Sequence, residues 1–167
     1  AEILLDMTGL QTVERSDTIS LAALTEEVFC DLDPVADKHQ IRLIQTEGDC
    51  TVTGSYILLY RAVYNLVENA IKYNRPSGSV TVNIHSAESA VLEVTDTGIG
   101  ISPENQEKIF DPFYRVDKSR SRAMGGAGLG LALVSEIARQ HNGQVKVTQS
   151  SEKGSTIALI LPKSTDY

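Results

Sequence analysis

The sequence predicts an α+β fold, a two-layer α/β sandwich, on three observations. Apolar residues recur at helical spacing in three long stretches. The strand-like stretches come as neighbours joined by short polar turns, roughly 79–86 with 90–96 and about 144–150 with 155–161, which suits antiparallel hairpins better than a doubly wound parallel sheet. The 167 residues are 41% hydrophobic and 22% charged, enough apolar material for one substantial core and too much for wholesale disorder.

Residues 1–14 read as the end of a helix, with Ile3, Leu4, Met7 and Leu10 on one side. Ser20 is an N-cap for a helix whose apolar side is Leu21, Leu24, Val28, Leu32, Val35 and Ala36. Two short strands, 41–46 and 50–53, flank a Glu47-Gly48-Asp49 turn. Ser55 caps a long helix to about Asn74, and the first hairpin follows, ending in a glycine turn from Asp96 to Gly100. Pro103 opens a short helix ending near Phe110. Residues 111–127 have no period, and a long structureless piece inside a compact domain is usually functional or mobile. Leu129–His141 is the third apolar helix, closed by Asn142-Gly143 ahead of the last hairpin.

The net charge of −7 excludes a general nucleic-acid or anionic-membrane binder, which needs a basic face. The longest apolar stretches are too short to span a membrane. Cys30 and Cys50 stand singly, outside any Cys-x-x-Cys or metal-ligand spacing, and read as reduced thiols. One segment runs against the overall charge: Arg115, Lys118, Arg120 and Arg122 face the single acid Asp117. Such a run is either a solvated loop or a local site for a polyanion.

Four clusters carry chemistry. On the 55–74 helix, Val63, Leu66, Val67 and Ala70 share the core side, while Asn65, Asn69, Lys72 and Tyr73 share another. Asparagine is a mediocre helix former, and its amide oxygen is a hard neutral ligand suited to Mg²⁺ with its phosphates and waters. Asp96 alternates onto the apolar face with Leu92 and Val94. Burying that carboxylate requires donors: either its own loop, as an Asx-turn, or a ligand donor such as an adenine amine. Phe110 and Phe113 are core packing or the anchors of a lid that carries Arg115. The glycine run from Gly125 to Gly130 is a flexible linker or, opening a helix, an anion cradle.

In order, these clusters read Asn65-Leu66-Val67-Glu68-Asn69-Ala70-Ile71-Lys72-Tyr73, Asp96-Thr97-Gly98-Ile99-Gly100-Ile101, Phe110-Asp111-Pro112-Phe113-Tyr114-Arg115 and Gly126-Ala127-Gly128-Leu129-Gly130-Leu131. The series resembles the catalytic ATP-binding domain of bacterial sensor histidine kinases, in the superfamily shared with DNA gyrase B, MutL-type repair proteins and heat-shock chaperone ATPases, over about residues 20–162. The resemblance implies a Bergerat-type fold: a mixed, mainly antiparallel sheet of about five strands with three main helices on one face. It implies ATP and Mg²⁺ as ligands. Asn69 would hold the metal, Asn65 would support metal and phosphates, and Lys72 would contact phosphate. Tyr73, Ile99, Ile101 and Phe113 would flank the nucleotide, with Gly98 and Gly100 shaping the pocket around Asp96, which takes the adenine amine. Arg115 and Lys118 would belong to a lid, and Gly126, Gly128, Leu129, Gly130 and Leu131 to its phosphate-side hinge. Thr156 would bond adenine through water.

Hydrolytic relatives place a Glu at the position of Asn65, where it activates water. Asn is no base, so the resemblance is to the phosphotransferase branch, with Asn65, Lys72 and Arg115 as its catalytic set. None of His39, His85 or His141 has the neighbours of a phosphoacceptor histidine. The resemblance therefore implies a division into residues 1–14, the remnant of a dimerisation and phosphoacceptor hairpin, and residues 15–167, the catalytic domain. The acceptor hairpin and sensor are expected upstream, in a homodimeric parent held at the inner or plasma membrane. The domain itself would be cytoplasmic and monomeric, with the hairpin and a response regulator as partners. An anti-sigma-type serine kinase of the same superfamily, or a non-catalytic interaction module, are the alternatives.

Overall fold

The computed structural model describes residues 16–112 and 130–164. Strand β1, Asp17–Ser20, leads straight into helix α1, Leu21–His39. Ser20 is the N-cap, its Oγ accepting the Ala23 N–H at 3.2 Å. A second cap comes from outside the helix: Asp49 accepts the Ala22 N–H at 2.9 Å and the Ser20 hydroxyl at 2.8 Å. Leu21, Leu24, Val28, Leu32 and Ala36 form its buried face, and Gln40 ends it in the left-handed region at φ 59°.

The two short strands are β2, Arg42–Gln45, and β3, Thr51–Gly54, but they do not pair with each other. β2 runs parallel to β4, Ser79–Ser86, as the edge of the main sheet, and β3 pairs antiparallel with β1 in a separate two-stranded sheet. The cause lies in the turn between them. Asp49 is committed to the α1 N-terminus, and the Gly48 backbone is pressed on the Ile84 carbonyl, where a Cβ would stand 2.2 Å away.

Helix α2, Tyr56–Lys72, starts at its Ser55 cap and buries Leu58, Leu59, Ala62, Val63, Leu66, Val67, Ala70 and Ile71. Its Tyr56 and Tyr60 hydroxyls reach Glu27 and Asp31 of α1. Desolvation first, then the Glu27 bond, pushes the Tyr56 phenol up to about 12, so it stays protonated as the donor.

β4 and β5, Ala90–Asp96, form the first hairpin, and β6, Gln144–Ser151, with β7, Gly154–Leu161, the second. The five-stranded sheet has the order β2-β4-β5-β7-β6, antiparallel except for the β2–β4 pair. Helix α3, Gly130–Gln140, lies beside α2. Val80, Val82, Ile84, Leu92, Val94, Ile157 and Leu159 turn to the helices and join one buried cluster with all three. The alternate residues Thr81, Asn83, His85, Val91, Glu93 and Thr95 form the open face. This is the expected α+β sandwich.

The short helix expected from Pro103 to Phe110 is two 3₁₀ turns, Pro103–Asn105 and Lys108–Phe110. Only Ile109 in this stretch is buried, too little apolar surface to stabilise a continuous helix. The helix read at residues 1–14, and with it that domain boundary, falls outside the described residues. Among the described residues no helix is long and apolar enough to cross a membrane.

Candidate functional site

Asp96 is the last residue of β5, and its register neighbours are Val80 on β4 and Ser155 on β7. Its half-buried carboxylate takes three donors. Oδ1 accepts the Gly98 N–H at 2.9 Å and the Ser155 N–H at 3.3 Å, and Oδ2 accepts the Ser155 hydroxyl at 3.0 Å. The Gly98 bond is the Asx-turn that local sequence allows. The Ser155 bonds come from across the sheet. Two carboxylate oxygens offer about four acceptor positions, so Oδ2 keeps capacity for one more donor. Desolvation pushes the Asp96 carboxyl above its ordinary range, against the opposing pull of the Gly98 and Ser155 bonds.

Thr156 does not face Asp96. Its hydroxyl meets that of Thr95 at 2.9 Å on the open face of the sheet, because neighbouring strand residues point to opposite sides. Ser155, not Thr156, is the residue that shares a face with Asp96.

The glycine turn is held between two elements. Gly98 lies on the end of α2, where a Cβ would stand 2.4 Å from the Tyr73 carbonyl oxygen. Gly100 has φ +78° and lies against the β6–β7 hairpin, where a Cβ would stand 2.0 Å from the Ser151 carbonyl oxygen. Ile101 donates its N–H to Ser150 Oγ at 2.6 Å and packs on the core, while Ile99 is 43% exposed beside the turn.

From that turn the polar side of α2 runs back through Tyr73, Lys72, Asn69 and Asn65 over about 12 Å of helix. Lys72 lies 3.7 Å from Glu68, with both side chains partly exposed. The half-buried Asn69 side chain makes no hydrogen bond to the described residues. Asn65 donates through Nδ2 to the Arg61 carbonyl at 2.8 Å, which directs Oδ1 outward. It faces the start of α3, where a Cβ on Gly130 would stand 3.2 Å from it. Leu131 packs on the core. Thus Asp96, Gly98, Gly100, Tyr73, Lys72, Asn69, Asn65 and Gly130 line the sheet-end and helix-end of one surface. Phe113, Arg115, Lys118, Gly126, Gly128 and Leu129 fall outside the described residues.

Two amide oxygens, one without a partner among the described residues, are hard neutral donors that fit a magnesium ion carrying its own water and phosphate oxygens. No group of three His, Cys, Asp or Glu that could cage a metal occurs among the described residues. A separate open cavity of about 510 Å³ lies at the far end of the sheet, between Glu88, Gly143, Leu161 and Lys163. It contains none of these residues, and its Lys163 ammonium is donated to Ser86.

Sequence reading missed Ser155 because it is 59 residues from Asp96 and no local pattern links them. The signal available was the pairing of the two strand ends, with a serine directly opposite the aspartate.

The family model for histidine kinase-, DNA gyrase B- and HSP90-like ATPases matches residues 54–165. The sensor-like histidine kinase SenX3 of Mycolicibacterium smegmatis is 37% identical over 98% of this chain and 44% of its own length. The sensor histidine kinase RppB of Synechocystis is 42% identical over 83% of this chain and 30% of its own length. The chain therefore spans less than half of these curated relatives. The mycobacterial sensor histidine kinase MprB has a solved structure that superposes with a TM-score of 0.74 at 28% identity, covering 90% of this chain and 99% of that one.

Proposed function

Since the chain belongs to the histidine kinase-, DNA gyrase B- and HSP90-like ATPase family, we propose that it binds Mg-ATP and supplies the γ-phosphate to a histidine on a helical hairpin of its parent protein. The observation that carries the reading is Asp96: a half-buried carboxylate with one acceptor position to spare, set at the end of a helix whose half-buried amides run away from it. A purine amine is the donor that completes Asp96, and the backbone at Gly98 and Gly100 leaves the base room to approach. Tyr73, Ile99, Ile101 and Phe113 flank the base.

Asn69 would hold the magnesium through its amide oxygen, with Asn65 supporting it. When bound, the ion neutralises phosphate charge. Lys72 exchanges its Glu68 partner for phosphate oxygens. Arg115 and Lys118 meet the terminal phosphate, and the glycines Gly126, Gly128 and Gly130 bring the backbone N–H groups at the start of α3 to the phosphates. Asn65 can neither take a proton from water nor generate hydroxide, which preserves ATP for transfer. The acceptor nitrogen then attacks the γ-phosphorus as the bond to the bridging oxygen breaks and ADP leaves.

In this reading the parent is a two-component sensor kinase at the plasma membrane, dimeric through its hairpin, with this domain in the cytoplasm and a response regulator as the next acceptor. The relatives' names and the chain's share of their length support it. The test is incubation of the protein with γ-labelled ATP, Mg²⁺ and the separately purified hairpin. Acid-labile label on the hairpin histidine is expected, and its loss on chelation. Acid-stable label on a serine of another protein would move the assignment to the serine kinase branch.

A further inference from the structure

We propose that Asn74 is a positioning residue that fixes the Asp96 turn against the end of α2, and so sets the purine end of the site relative to its amide end; this rests on the reading of Asp96 given above.

Asn74 follows the α2 C-cap and is 7% exposed. Every polar atom of its side chain is used. Nδ2 donates to the Ser79 carbonyl at 2.9 Å, and Oδ1 accepts the Thr97 hydroxyl at 2.9 Å and the Arg75 N–H at 2.8 Å. The Thr97 oxygen in turn accepts the Ser79 N–H at 2.9 Å, and the Thr97 N–H reaches the Ser79 carbonyl at 3.3 Å. Asn74, Thr97 and Ser79 thus form a closed ring of hydrogen bonds joining the end of α2, the residue between Asp96 and Gly98, and the start of β4. Gly78 lies directly over it: a Cβ there would stand 2.4 Å from both Asn74 Oδ1 and Thr97 Oγ1. No side chain larger than hydrogen fits there; the Asn74 end of the ring is buried, while Thr97 lies at the surface.

A residue serving only as a helix cap would spend its side chain on helix carbonyls. The Asn74 donor goes instead to a strand, and its acceptor to the turn. Without it, the turn meets α2 chiefly through van der Waals contact between Gly98 and the backbone of Tyr73 and Asn74. Such contact limits approach but not sliding. Asp96 and Asn69 stand on different elements, so a nucleotide that bridges them is sensitive to sliding.

The experiment compares Asn74→Ala, Thr97→Val and the double variant with the unaltered protein. Native-state amide exchange at Gly98 should rise about tenfold in each variant, the size of one or two lost hydrogen bonds, with the α2 and β5 core amides unchanged. Affinity for Mg-ATP should fall by about the same factor, while affinity for Mg-tripolyphosphate, which has no base, stays constant. The double variant should be no weaker than Asn74→Ala alone, because both substitutions break one ring. If Asn74→Ala does not fold, Thr97→Val removes the same bond from the other side and is read alone. Unchanged exchange at Gly98, equal losses for ATP and tripolyphosphate, or additive losses would each overturn the proposal. An unaltered protein that shows the exchange pattern in its variants but binds no Mg-ATP would support the brace and overturn the nucleotide assignment instead.

Discussion

At the scale of single residues, Asp96 sets two quantities against each other. Its folded carboxyl titrates above the ordinary range because burial penalises the charge more than the three donors reward it. The ionised form is therefore less favourable in the fold than in the unfolded chain. Its contribution to stability is fullest in acid, below the unfolded value, and is lost as pH rises through the raised folded value. Ligand affinity runs the other way. A purine amine needs an acceptor, so Mg-ATP binding should weaken on acidification, starting above the pH at which an exposed aspartate protonates; titrating affinity against pH checks this. Asp96→Asn separates the two effects. The amide oxygen still accepts from Gly98 and Ser155, and the amide nitrogen can donate to the Ser155 oxygen, so the fold should hold or gain stability. The amide nitrogen would then oppose the purine amine, donor against donor. We expect a loss of roughly 1.5–3 kcal/mol in calorimetric Mg-ATP affinity, the worth of one bond to a charged acceptor, with no fall in melting temperature. Unchanged affinity would remove Asp96 from the site.

At the scale of elements, the joint between α2 and α3 depends on a histidine. His141, just past α3, is 8% exposed. Its Nδ1 meets the Ile137 carbonyl at 2.8 Å and its Nε2 meets the Ser55 N–H at 3.0 Å. The carbonyl can only accept and the N–H can only donate, which fixes the neutral ring with its proton on Nδ1. One side chain thereby closes α3 and secures the residue that caps α2, with the Gly54 backbone close enough that a Cβ would stand 2.4 Å from the ring. His141→Ala should cost about 1–3 kcal/mol, since it strands a buried N–H and leaves space unfilled. His39→Gln, whose bond at 2.9 Å is only to its own helix at Val35, should change stability by under about 0.5 kcal/mol. Urea denaturation of the two variants decides it, and equal effects would reduce His141 to an ordinary terminal residue. The sequence identified His141 as the last residue of its helix but gave no sign of Ser55, 86 positions away.

At the scale of the whole molecule, what was legible follows from the reach of each signal. Ser20 and Ser55 mark helix starts by local chemistry, and alternation marks β4 and β5 residue by residue. Asp96 stood out because it broke the apolar alternation of β5. Strand β1 has only Ile19 to bury, so no pattern announced it, and nothing local to Leu43 or Val52 says that their strands belong to different sheets. The choice between Ser155 and Thr156 turns on register, where one step exchanges the two faces. Pairing, unlike periodicity, is fixed by the common core, and that core has a consequence for unfolding. Leu24 of α1, Leu66 of α2, Ile137 of α3 and Leu92 of the sheet belong to one buried cluster, none more than 1% exposed. No element has a private core on which to survive the loss of the others, so unfolding should be a single transition. Leu66→Ala, at the centre, should cost about 2–5 kcal/mol through lost burial and the cavity left behind. It should shift the urea midpoints from far-UV circular dichroism and tyrosine fluorescence together, with their slopes unchanged. Tyrosine reports on α2 in particular, because the chain has no tryptophan and the rings of Tyr56, Tyr60 and Tyr64 follow one another along that helix. If the tyrosine signal moved while the circular dichroism midpoint stayed, the helices would be unfolding apart from the sheet, and the shared core would not be what couples the two ends of the site.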